Sequence, residues 1–339
     1  MATKSEIFGL IATLTEEQLE KLKKYILSKL HIVPQGLEAK IETHICPHCG
    51  SHHIIKFGIK RGKQRYTCKD CKKIFLETTN TIVYKSKYSL KMWSDYVTYM
   101  LSGYSCKNIS NAIGINYKTA FYWRHKILGS LKEVQDGNLS LKDIIEADET
   151  FFAISYKGNH KFSKTFVMPR KPHKRGQSSS KKGISKEKVC VSCMVDNHND
   201  YQANIAGLGR ITIKQLEILN KVEEGSILVS DRASAYRKYA QKNHLDLIQL
   251  KAGKEYKRGI YNLAHINAFH ASIKKFTLIF NGVSTKHLPN YLNWRIWLTR
   301  TIGMIQSNRI IEMLDETVNH QYSITQHQIH KKNPIPMVA

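Results

Sequence analysis

No run of about 18 apolar residues occurs in the sequence, so no segment reads as a membrane span. The opening MATKSEIFGL lacks the apolar core of a signal peptide, which predicts a cytoplasmic protein. Acidic residues are scarce, with 27 Asp plus Glu against 53 Lys plus Arg and a net charge of +26. Such a charge opposes compaction and attracts a polyanion through counterion release, so nucleic acid is the leading partner. Seven cysteines, an odd number, argue against a fully paired disulfide framework. No internal repeat is present. What remains is 339 residues at 42% hydrophobic content, enough for one large domain or a few smaller ones.

The chain divides by pattern. Residues 1–35 are a helical segment, in which Leu19, Leu22, Ile26 and Leu30 share one helical face over 13–30 and Thr15 with Gln18 has capping-box spacing. Residues 42–78 are rich in Cys, His and Lys, and 86–132 read as helices broken at Gly103 and Gly114. From 140 to 318 short apolar strands (IIEADETFF, KVCVSCMV, YQANIAG, SILVS) alternate with helices such as TIKQLEILNK and RASAYRKYAQK, an α/β pattern. Within it, residues 157–188 form a basic loop, suited to DNA-backbone contact or to simple solvation. The polar tail 319–339 is expected to be loosely ordered.

CPHC at 46–49 and CKDC at 68–71 are paired Cys-x-x-Cys knuckles with a hairpin-sized spacer. Thiolates at Cys46, Cys49, Cys68 and Cys71 would close a tetrahedral structural Zn²⁺ site, and a module this small needs the metal to fold. His44, His48, His52 and His53 are then surplus to coordination and expected at the surface. Further on, YSCKNISNAIGINYKTAFYWRHKIL turns at Gly114, with Ile109, Ala112 and Ile113 facing inward. It reads as a helix-turn-helix whose second helix presents Lys118, Thr119, Tyr122 and Arg124, or as an ordinary helical hairpin.

Asp148 interrupts an apolar strand and Asp231 directly follows another, where buried carboxylates are costly unless they meet a cation. Together they suit Mg²⁺ or Mn²⁺ in a two-metal phosphoryl-transfer site. In HINAFHASIKKF, Asn267, His270 and Lys274 fall on one helical stripe, offering an amide oxygen to a hard cation and an ammonium to a phosphate. Each residue alone also has a structural reading, Asp231 as a helix N-cap and Lys274 as a solvated charge. Glu146 shares the face of Asp148 while Glu149 takes the other. Alternation sends Cys190 and Cys193 to opposite faces, against shared metal or redox work.

The knuckles, TAFYWRHKIL, ADETFF, PRKPHKRG with GISKEKVCV, SDRASAY, and HINAFHASIKKF with FNGVSTKHLPNYLNW give a chain that resembles bacterial zinc-ribbon insertion-sequence transposases with an ISXO2-like domain. That family belongs to the DDE superfamily, in the branch where Asn replaces the third acid. The resemblance implies an RNase H-like mixed sheet flanked by helices, preceded by a zinc ribbon and a helix-turn-helix. It also implies Asp148, Asp231, Asn267 and Lys274 as the catalytic set, with His270 a helper, and a step of 36 residues from Asp231 to Asn267 is similar to the superfamily's spacing. Transposon-end and target DNA, a homo-oligomer on paired ends, and cleavage followed by joining of a 3′-hydroxyl are the implied partners and activity. A DNA-binding regulator without chemistry, an inactive transposase-derived protein and a nuclease that only hydrolyses are the competing readings.

Overall fold

A computed structural model describes residues 45–158, 183–251 and 257–331, with 9, 12–19, 22, 167–168 and 254–255. Most of the expected N-terminal helix and of the basic loop 157–188 lies outside these residues, as do His44 and the last eight residues. The capping box at Thr15 is present: its backbone N–H donates to Gln18 Oε1 at 2.9 Å, and the Gln18 N–H donates to Thr15 Oγ1 at 3.3 Å. Two compact units emerge, one comprising Met1–Arg124 with Gly303–Ser323, the other His125–Ile302 with Ile324–Ala339.

The first unit begins with a three-stranded antiparallel sheet, β1 (Ile54–Lys60), β2 (Lys63–Cys68) and β3 (Ile74–Leu76). Arg61 and Gly62 join β1 to β2 with φ of 52° and 73°, the left-handed pair that a two-residue hairpin turn requires. Among the described residues of this module an apolar cluster holds Cys46, Cys68 and Phe75, flanked by Ile54, Tyr66 and Cys71. Helices α1 (Leu90–Leu101), α2 (Cys106–Ile113) and the start of α3 (Tyr117–Asn138) follow. Ser105 caps α2 by accepting from the Asn108 N–H, and Gly114 ends it at φ 69°. Asn116 Oδ1 accepts from the Lys118 N–H to start α3. Ile109, Ile115 and Ala120 are buried between these helices, and Trp93 stacks on Trp123 at 3.9 Å.

Two helices joined at Gly114 are present as expected, with one correction to the outer face of the second. Lys118 is exposed, but Tyr122 and Arg124 are buried, and the Arg124 guanidinium donates to the Tyr104 carbonyl at 2.8 Å. Their positions in the second half of the face turn them inward, so they pack the unit. A later helix, α8 (Gln306–Val318), belongs to this unit and packs on α1, although its position in sequence suggested the α/β segment.

The second unit is built on a five-stranded mixed sheet: β4 (Ile144–Ala153), β5 (Lys188–Asp196), β6 (Tyr201–Leu208), β7 (Ile227–Asp231) and β8 (Asp246–Leu250), in the order β6-β5-β4-β7-β8. The β4–β5 and β5–β6 pairs are antiparallel, while β4–β7 and β7–β8 are parallel. An antiparallel meander followed by two parallel strands added beyond its first strand is the RNase H-like arrangement. Helices α4 (Ile213–Leu219) and α5 (Ser234–Lys242) contribute Leu216, Tyr236, Tyr239 and Ala240 to the core on one face, with Ile145, Ala147, Cys190 and Leu228. Helices α6 (Ala264–Leu278) and α7 (Leu288–Arg300) contribute Ile266, Phe269, Ile273, Leu292 and Ile296 to the other, with Val191, Cys193 and Ile205. Cys190 and Cys193 thus serve opposite cores, as strand alternation requires. The small pair β9 (Lys257–Arg258) and β10 (Tyr261–Asn262) leads into α6. Residues 319–331 of the tail are more ordered than their polarity suggests: Thr325 and Gln328 form a capping box for α9 (Gln326–Lys331), and Ile329 is buried.

Candidate active site

Odd-numbered residues of β4 join the α4/α5 core, which leaves Glu146, Asp148 and Thr150 on the side of α6. In β7, Leu228 joins the α4/α5 core, so Asp231 points to the same side as Asp148. The parallel register pairs Ala147 with Ser230, and one step further sets Asp148 beside Asp231 on neighbouring strands. Neighbouring strands lie about 4.8 Å apart, close enough for two carboxylates to share a cation. β7 ends at Asp231 whereas β4 continues to Ala153, paired there with β5, so the two acids sit at a step in the sheet.

The electrostatics follow from this crowding. Burial pushes the Asp148 carboxyl up to about 6, against the Glu149 N–H that hydrogen-bonds its Oδ1 at 2.8 Å; the Asp231 charge raises it further and Lys274 opposes the rise. Burial also lifts Glu149 to about 7, opposed by the nearby Tyr236 hydroxyl and reinforced by Asp148 and Asp231. Glu149 faces the Tyr236 side of the sheet yet feels both aspartates. Asp148 and Asp231, side by side on one face of the sheet, offer a pair of carboxylate oxygens of the kind that suits a hard divalent cation.

Helix α6 supplies the remaining candidates. His270 Nδ1 lies 3.9 Å from Asp148 Oδ2, too long for a hydrogen bond. Burial, with help from Lys274, holds His270 down to about 4, so at neutral pH it is a neutral imidazole beside the carboxylate and not an ion pair. Lys274 is exposed one turn further along and close enough to act on both Asp148 and His270. Asn267 is exposed one turn before His270 on the same stripe. The fold therefore gathers Asp148, Asp231, His270 and Lys274, and sets Asn267 at the open end of the same helix.

The structural alternative for Asp231 is partly realised. Ala233, not Asp231, occupies the N-cap of α5, but Asp231 Oδ1 accepts the Ala233 N–H at 2.9 Å. That bond fixes the side chain and leaves Oδ2 for other partners. Glu146, noticed in sequence as a residue on the right face, is committed elsewhere: Oε1 accepts from His265 Nδ1 at 2.7 Å and Oε2 from the Ile266 N–H at 2.9 Å. Those partners lie about 120 residues away in sequence, and no local signal announces them. Tyr236, also unnoticed in sequence, carries a hydroxyl that burial keeps well above its usual range.

In the first unit the four knuckle thiols converge. Cys46 and Cys71 Sγ lie 3.6 Å apart, as do those of Cys49 and Cys68, and all four fall within 4.8 Å of one another. A tetrahedron with Zn–S bonds of about 2.3 Å has edges of about 3.8 Å, so the set fits Zn²⁺ without rearrangement. All four are free thiols. The Cys71 and Asp70 amides, aimed at Cys68 Sγ, bring that thiol down to about 6, while Cys49 is held up to about 12 despite the Ser51 amide, by burial and the other thiols. His48, His52 and His53 are exposed and stand outside the cluster.

Comparison with known proteins now bears on this arrangement. Residues 140–297 match the model of the ISXO2-like transposase domain, a span that contains β4, β7 and α6 with Asp148, Asp231, Asn267, His270 and Lys274 but not the four knuckle cysteines. Over these residues, a little under half of the chain, the protein is similar to insertion-sequence transposases of the ISXO2-like family. An uncharacterised protein in the transposable element ISH50 of Halobacterium salinarum is 25% identical over 257 residues, 73% of this chain and 82% of that protein. Among solved structures, a pre-cleavage Mos1 transpososome is 12% identical, with 67% of this chain and 79% of that chain covered at a TM-score of 0.22. The Mos1 strand transfer complex is 11% identical, with 66% and 74% covered at the same TM-score. At those scores the fold assignment rests on strand order and direction alone. Among the described residues no helix is long and apolar enough to cross a membrane.

Proposed function

We propose that this protein is a transposase that binds the ends of its insertion sequence, cuts them, and joins the freed 3′-hydroxyl to target DNA. The observation that carries the reading is the placement of Asp148 and Asp231 side by side on adjacent parallel strands, with ionisation of Asp148 suppressed by burial and by its neighbour. In this reading Asp148, Asp231 and Asn267 hold two Mg²⁺ or Mn²⁺ ions, which when bound activate the attacking oxygen and stabilise the leaving one. Asn267 contributes an amide oxygen without charge, so the site is less acidic than one with three carboxylates. Lys274, exposed beside Asp148, donates to a non-bridging phosphate oxygen and offsets charge in the transition state. His270 stays neutral and packs the carboxylate's flank.

DNA is the partner that the +26 charge and the helix-turn-helix favour, with Zn²⁺ holding the ribbon that stands ahead of it. The ends are brought together in a homo-oligomer, and the protein acts in the bacterial cytoplasm on chromosomal DNA. Asp231→Ala is expected to abolish Mn²⁺-dependent end cleavage while the gel-shift affinity for end DNA stays within a few-fold of wild type. Retained cleavage by that variant contradicts the assignment.

A further inference from the structure

Strand β4 does more than present Asp148. Two residues earlier, Glu146 is 6% exposed, and both its oxygens are spent on the first turn of α6. Its Oε2 takes the Ile266 N–H, one of the donors that a helix start leaves without an intrahelical acceptor, and its charge opposes the positive end of the helix dipole. The α6 N-cap, Leu263, offers no side-chain acceptor; Asn262 Oδ1 takes the Ala264 N–H at 2.8 Å, and the carboxylate from β4 takes the Ile266 N–H that this local contact leaves. Beyond the far end of α6, the Lys157 ammonium donates to the carbonyls of Phe280, Asn281 and Gly282 at 2.8, 3.1 and 2.7 Å. Between these ties, Ser155 and Thr285 exchange two hydrogen bonds of 2.8 Å. The segment from Glu146 to Lys157 and α6 therefore run side by side in fixed register, with Asp148 opposite His270.

We infer that Glu146 is a positioning residue: its carboxylate pins the first turn of α6 and so sets Asn267, next to the held Ile266 amide, against Asp148. The inference rests on the reading of Asp148, Asp231 and Asn267 as cation ligands. Glu146 itself touches no reacting atom. Removing it frees the helix start and loosens the third ligand, and losses of this kind at residues that support metal ligands run to about 10–100-fold in metal affinity or activity.

The test compares wild type, Glu146→Gln and Glu146→Ala in the full chain, measuring end cleavage across a Mn²⁺ titration and amide hydrogen exchange over residues 264–268. Glu146→Ala is expected to need at least about tenfold more Mn²⁺ for half-maximal cleavage and to recover much of its rate at saturating metal. Its 264–268 amides exchange faster while the rest of α6 keeps its protection. Glu146→Gln, which keeps an acceptor for Ile266, falls between the two. Recovery at high metal separates misplacement of a ligand from general unfolding, which added metal does not repair. Wild-type metal dependence in Glu146→Ala overturns the inference, as does a uniform loss of protection. If wild type cuts no DNA at any Mn²⁺ concentration, the reading of the site fails; the clamp is then judged by exchange alone, supported by faster 264–268 exchange in Glu146→Ala and overturned by unchanged exchange.

Discussion

Asp148 carries the sharpest consequence at the scale of single residues. Its carboxyl is raised from an ordinary value of 3.8 to about 6, mainly because burial penalises the ion. A carboxyl raised in the folded state favours folding only below its unfolded pKa, and that contribution disappears as pH climbs through the folded value. The metal-free protein should therefore lose stability between about pH 4 and pH 6 through this residue. Asp148→Asn, which keeps the shape without the charge, is expected to be more stable than wild type at pH 7 by on the order of 2–3 kcal/mol, with no advantage near pH 4. Thermal melts of both proteins across that range in chelator measure the difference. Equal melting temperatures at pH 7 would contradict the assigned burial of charge. A variant that gains stability and loses activity is what a site organised around an absent cation predicts.

The same scale separates residues that the sequence groups together. Lys118 and Arg124 both stood as readers of DNA on one helix, but one side chain is exposed and the other holds the Tyr104 carbonyl from inside the unit. Lys118→Ala is expected to weaken end binding and reduce the salt slope of log K by about one, leaving the melt unchanged. Arg124→Ala is expected to lower the melting temperature, because it leaves the Tyr104 carbonyl without its donor. Paired binding isotherms and melts decide which residue does which.

At the level of elements, the ribbon is the part whose stability comes least from packing. Its apolar cluster buries one aromatic side chain, Phe75, and two of the cysteines themselves, with Ile54, Tyr66 and Cys71 packed against them, so in the proposed reading metal ligation would supply most of its folding free energy. Cys68→Ser, or a strong zinc chelator, is expected to unfold residues 46–76 and reduce end recognition, while exchange protection in β4, β5 and β7 persists. Loss of protection in the central strands would show that the ribbon is not an independent folding element. This element was legible in sequence because its signal is local: two knuckles and a spacer fix the ligands, and only the I′ turn at Arg61–Gly62 needed coordinates. The strands of the α/β unit were legible for the same reason, as short apolar runs between helices. What stayed hidden depends on long-range pairing. The parallel register that sets Asp148 beside Asp231, the Glu146 tie to α6, and the assignment of α8 to the first unit each join segments far apart in sequence. Helix α9 was missed because a short amphipathic turn anchored by one buried residue, Ile329, is outweighed by the polarity around it.

The whole molecule combines a basic chain, a thiol-lined ribbon followed by two helices joined at Gly114, and an RNase H-like sheet with Asp148 and Asp231 side by side. A regulator needs only the first two, and a nuclease needs all three without any means of joining strands. The most direct measurement incubates purified protein with the element's end DNA, a target plasmid and Mg²⁺ or Mn²⁺, with Asp148→Ala as control, and resolves joined from merely cut products. The account predicts metal-dependent joined products that vanish with Asp148→Ala. Cutting without joining, binding without cutting, or joined products that survive in the control would contradict it.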